Sequence, residues 1–179
     1  MLAASAKENH LPTVVFLCGK MERFQPTVFT FSTVMDGLCI ERKVNEAVKL
    51  FAEMDETGIV PTINTYSIII KGYSIIGDLD AAVKMLKELE ENGPHPNVVT
   101  YNTVINAFCK QGMLKEGLVV FSGMLKKGIE PNLYTYNILL EAFYEQRMLC
   151  RAEAMIVRMK QQRIKFNVAW DEAVIAISR

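Results

Sequence analysis

The sequence predicts an all-α fold, a right-handed α-solenoid of antiparallel helix-turn-helix repeats, on three observations. Pro26, Pro61, Pro96 and Pro131 stand 35 residues apart, and one further step lands on Phe166, where the pattern decays. Gly58, Gly93 and Gly128 keep the same interval. Between these marks, apolar residues recur at three- and four-residue steps, the period of one helix face. A fixed period of this length is the signature of stacked repeats.

Taken in order, residues 1–27 read as an N-terminal segment with a degenerate partial repeat, in which Phe16 and Met21 echo a second helix. Starting each unit two residues after its proline gives repeats 28–62, 63–97, 98–132 and 133–167, and their internal residues then fall into register. Thr30, Thr65, Thr100 and Thr135 align, followed at once by Phe31, Tyr66, Tyr101 and Tyr136. Further along come Ala47, Ala82, Gly117 and Ala152, and then Met54, Leu89, Met124 and Met159.

In the third unit, Tyr101, Val104, Ile105 and Phe108 make the stripe of a first helix. Leu114, Leu118, Phe121 and Met124 make the second, which begins after Gly112 and stops at Gly128 and Pro131. One helix pair cannot bury both stripes, whereas stacked neighbours can. The tail 168–179, with Trp170, Val174 and Ile177, reads as a capping helix over the last interface.

Composition narrows the function. Among 179 residues the acidic and basic side chains cancel to a formal net charge of zero, so no general positive field marks a nucleic-acid or membrane partner. Any nucleic-acid binding must come from a local face. Cys18, Cys39, Cys109 and Cys150 are far apart, and His10 and His95 do not join them at ligand spacing, so neither a metal nor another cofactor is expected. These thiols are expected to be reduced, buried or on inner helix faces. No apolar run is long enough to cross a bilayer. The opening ten residues, with no arginine, make a poor import or secretory signal.

Catalysis is not expected. The chain offers no Ser/His/Asp set, no phosphate-cradling glycine loop and no zinc-deaminase signature. Glu88, Glu90 and Glu91 read as a solvated outer helix face.

Val98-Val-Thr-Tyr-Asn-Thr-Val-Ile-Asn-Ala-Phe-Cys-Lys110 and Leu133-Tyr-Thr-Tyr-Asn-Ile-Leu-Leu-Glu-Ala-Phe-Tyr-Glu145 resemble the opening helix of pentatricopeptide repeats. Gly117 to Pro131 and Ala47 to Pro61 are similar to the family's closing helix and glycine-to-proline turn. Tetratricopeptide repeats fit less well, having a different first-helix pattern and a period of about 34.

The resemblance implies a sequence-selective single-stranded RNA-binding protein, acting with other RNA-processing proteins in a mitochondrion or chloroplast, in which each repeat reads one base. The implied base readers are the fifth residue of each unit, Ser32, Ser67, Asn102 and Asn137, and the last, Thr62, Asn97, Asn132 and Asn167. The implied base-sandwiching residues are Phe29, Val99 and Tyr134, with Asn64 departing from the apolar habit at the same position. The family's pairings imply adenine for Ser67 with Asn97 and pyrimidines for the two Asn pairs, cytosine ahead of uracil.

Several of these residues carry a structural reading as well. Asn97 and Asn132, each after a proline, also suit helix N-caps, and the two roles do not exclude one another. The Phe31, Tyr66, Tyr101 and Tyr136 ladder lies on the apolar stripe and reads as core. Lys110 is the expected phosphate contact, with Lys71 on the same inner stripe beside Asp36, Glu141 and Glu145. The alternative function is a helical-repeat protein-interaction module, or a shortened family member with little RNA affinity.

Overall fold

A computed structural model describes residues 27–164 as eight α-helices with no strand among them. They are α1 (Val28–Ile40), α2 (Val44–Glu56), α3 (Ile63–Ile76), α4 (Leu79–Asn92), α5 (Val98–Lys110), α6 (Leu114–Lys126), α7 (Leu133–Glu145) and α8 (Leu149–Gln161). The segment before Thr27, the expected reader Asn167 and the expected capping helix 168–179 lie outside the described residues.

Each first helix starts where its cap stands. Thr27, Thr62 and Asn132 precede α1, α3 and α7, and each exchanges hydrogen bonds with the threonine three residues on, a reciprocal capping box. Asn97 caps α5 with Oδ1, which accepts from the N–H groups of Val99 and Thr100. These bonds satisfy donors that the first turn leaves without a partner.

The turn inside each repeat needs a left-handed residue. Gly77 and Gly112 take φ of 86° and 74°, and Arg42 and Arg147 hold the same register at 64° and 56°. An L side chain is strained there. Between repeats, Gly58 and Gly128 both take φ of 72°. Gly93 does not follow them: its φ is −98° and ψ −174°. The cause is Pro94, whose ring disfavours helical backbone in the residue before it and leaves an extended conformation. The periodicity of the three glycines thus masks two different turns.

The described residues fall into two compact units, divided between His95 and Pro96. In the first, α1 packs on α2 and α3, and α3 on α4; in the second, α5 packs on α6 and α7, and α7 on α8. Phe31, Tyr66, Tyr101 and Tyr136 are all buried, as are Met54, Leu89, Met124 and Met159. The aromatic ladder is therefore core, as its stripe indicates. Gly72 lets α3 approach α1 closely, since a Cβ there would stand 2.5 Å from Cys39 Sγ. Cys39 and Cys109 are buried, but Cys150 is exposed, against expectation, because it falls on the solvent side of α8.

Candidate nucleic-acid interface

The candidate site is assembled at the start of each first helix, where the last residue of one repeat caps the helix that carries the next repeat's second and fifth residues. The cap and the fifth residue of the preceding repeat can then meet. Asn102 and Asn132 do: Asn102 Nδ2 donates to Asn132 Oδ1 at 3.3 Å. Thr135 closes the cluster, its hydroxyl donating to Asn102 Oδ1 at 2.7 Å while its backbone N–H donates to Asn132 Oδ1 at 3.0 Å.

This network fixes the polarity of the pair. Both amide oxygens are engaged inside the cluster, so what Asn132 turns to solvent is its Nδ2 donor group. Asn102 is only 3 % exposed while Asn132 lies open. The arrangement suits a base edge rich in acceptors.

The other predicted readers are placed differently. Ser32 is 6 % exposed and its Oγ has no hydrogen-bond partner, and no bond joins it to Thr62, which is exposed and bonded to Thr65. A serine hydroxyl is shorter than the asparagine amide that spans the same gap in the third repeat. Ser67 Oγ donates to the Ile63 carbonyl at 2.8 Å. Asn97 Oδ1 also accepts from the Thr100 hydroxyl at 3.2 Å. Asn137 is half-buried, and its Oδ1 has no partner.

The second residues stand out from the surface. Phe29 is 80 % exposed, Val99 59 % and Tyr134 56 %, although none is polar enough to gain from it beyond the tyrosine hydroxyl. Asn64 is exposed at the same position. Large apolar groups left in water in a repeated row are uncommon without a partner surface.

Charge on this face is sparse. Lys110, in the last turn of α5, is exposed and forms no ion pair with another described residue. Lys71 is not equivalent to it, because its Nζ lies 3.0 Å from Asp36 Oδ1 in the adjacent repeat. The sequence signal for that pair was present, the two residues being 35 apart and opposite in sign. The role of Thr135 was harder to see, since its partner Asn102 stands 33 residues away on another helix. Among the described residues no group of side chains could hold a metal ion, and no helix is long and apolar enough to cross a membrane.

The profile of the PPR repeat family matches residues 26–75, 68–108 and 96–145. No curated protein matches the chain. The crystal structure of the pentatricopeptide repeat protein PPR10 from maize is similar to it with a TM-score of 0.79 and 28 % identity, covering 92 % of this chain and 24 % of that one. The same maize protein in complex with an 18-nt psaJ RNA element aligns with a TM-score of 0.75. The PPR domain of Arabidopsis thaliana protein-only RNase P 1, in complex with tRNA, shares the fold at 14 % identity and a TM-score of 0.70, with 90 % of this chain and 86 % of that one covered. The chain thus spans about a quarter of the maize protein's length, a helical-repeat protein of the same fold class.

Proposed function

Because the chain belongs to the PPR repeat family, we propose that its first-helix face binds single-stranded RNA sequence-selectively, one base to a repeat, in the frame 28–62, 63–97, 98–132 and 133–167. The observation that carries this reading is the Asn102–Asn132 pair, polarised by Thr135 and flanked by the exposed side chains of Val99 and Tyr134. An outward amide donor selects a base acceptor, and the flanking side chains hold neighbouring bases apart. Phe29 would do the same at the first repeat.

In this reading the third repeat takes a pyrimidine, cytosine ahead of uracil. Cytosine offers two adjacent acceptors, N3 and O2, on its pairing edge, whereas uracil places an N–H donor between its carbonyls. Lys110 meets a phosphate nearby. The chain acts by binding and not by catalysis, within a mitochondrion or chloroplast and alongside other RNA-processing proteins.

The test is a titration at low salt against single-stranded RNAs differing only at the base facing the third repeat, with Asn132→Asp beside the unmodified chain. A carboxylate accepts from the N3–H of uracil and repels the N3 lone pair of cytosine, so preference should move to uracil. Binding that ignores the base, in both proteins, would refute base reading by this pair. No binding at any salt concentration would refute the RNA function itself.

A further inference from the structure

The first unit carries an open groove of about 830 Å³ between α2, α4 and the link from α2 to α3. Its floor is the pair Phe51 and Tyr66, edge to face with centroids 5.0 Å apart and planes at 74°. Val60, Pro61 and Met85 extend the apolar lining. The charged residues along it, Asp55, Glu56 and Glu88, are all carboxylates, and none forms an ion pair with another described residue. Glu88 is thus not the plain solvated residue of an outer helix face.

The second unit shows what such a place can hold. Two repeats further on, Phe121, Tyr136 and Arg158 stand at the register of Phe51, Tyr66 and Glu88. The rings again meet edge to face, with centroids 6.2 Å apart. The guanidinium carbon of Arg158 lies 5.8 Å from the Phe121 centroid, where the ring quadrupole attracts a cation. Burial raises the pKa of the Tyr136 phenol and Arg158 opposes that rise. At Tyr66 burial raises it and Glu88 and Asp55 raise it further. One unit therefore supplies its own cation to the aromatic pair, and the other presents the pair with carboxylates around it.

We propose that the groove of the first unit is a docking site for a partner protein segment that presents an arginine beside large apolar side chains. The guanidinium lies over Phe51 and pairs with Glu88 and Asp55, while the apolar neighbours cover Val60 and Met85. A planar guanidinium suits both contacts, since it stacks on a ring and pairs with carboxylates in its own plane. The three carboxylates repel a phosphate backbone, which separates this surface from the RNA face. None of them stands on a first helix.

The test selects a displayed library of random short peptides on the full chain. Expected is enrichment of arginine flanked by leucine, isoleucine, methionine or phenylalanine, with selected peptides binding Glu88→Arg roughly tenfold more weakly. That variant supplies the groove with its own cation, as Arg158 does in the second unit, and should melt no lower than the unmodified chain. Glu88→Gln, which keeps the side chain's size, should lose roughly threefold to fivefold. RNA binding of both variants should be unchanged, so failure here is distinguishable from failure of the RNA reading. No enrichment of arginine, or undiminished binding of the selected peptides to both variants, overturns the proposal.

Discussion

The Thr135 hydroxyl donates to Asn102 Oδ1 across 2.7 Å, joining the third residue of one repeat to the fifth residue of the repeat before it. A residue whose place in the register is explained by helix capping thereby also orients a candidate base reader. Thr135→Val should lower stability by about 1 kcal/mol through the lost cap interaction and also relax base preference at the third repeat. Thr65→Val is the control, because Thr65 serves the cap of α3 and its hydroxyl bonds to Thr62, the cap residue itself. Urea melts and a four-base RNA panel decide it. Equal base preference in Thr135→Val and the unmodified chain would remove the orienting role.

Arg147 adopts φ of 56° where Gly112, one repeat earlier, has 74°. Arg147→Gly should relieve that strain and gain about 0.5–1 kcal/mol after the entropic penalty of glycine is offset. Gly112→Ala should lose about 1 kcal/mol by the same argument in reverse. Chemical denaturation of the two variants checks both signs, and a destabilised Arg147→Gly or a stabilised Gly112→Ala would show that the left-handed backbone is not what sets the stability of these turns.

Cys39 and Cys109 have thiol pKa values raised to about 11, chiefly by burial, with Asp36 and Glu145 adding to the rise. Cys150 is exposed. At pH 8, alkylation should therefore label Cys150 quickly and leave the two buried thiols until the chain unfolds. The raised values also favour folding below the ordinary thiol pKa near 9, and that contribution fades as pH climbs toward 11. Rapid labelling of Cys109 in the folded chain would contradict its burial.

Tyr134→Ala removes an exposed ring and should leave stability within about 0.5 kcal/mol. Its effect belongs to RNA binding, where losing a base contact should weaken affinity by about 1–3 kcal/mol. Phe29→Ala should behave alike. A melting temperature that falls while RNA affinity holds would reverse the assignment.

Much of this was legible in the sequence because repetition multiplies weak signals. One threonine before a tyrosine says little, but Thr30, Thr65, Thr100 and Thr135 at one interval mark four helix starts. The buried aromatic ladder and the capping role of Asn97 and Asn132 followed from the same register. What escaped were the departures from it. Gly93 looked like its counterparts until the steric demand of Pro94 acted on its backbone. The Asn102 to Thr135 bond joins two helices, and Glu88 and Arg158 differ in meaning only because each stands beside an aromatic pair built from two other helices, which packing alone reveals.

Placing a candidate reader at each N-cap limits how such a chain can change its target. Asn, Asp, Ser and Thr can occupy that position because each can accept from the helix's first N–H groups, whereas Val or Leu leaves them orphaned. The alphabet available for new specificity is therefore the set of residues that also begin a helix well. Exchanges within that set leave the scaffold nearly neutral in stability, so a repeat can drift from one base to another through folded intermediates. Exchanges outside it cost about 0.5–2 kcal/mol of stability each, which any gain in recognition has to offset.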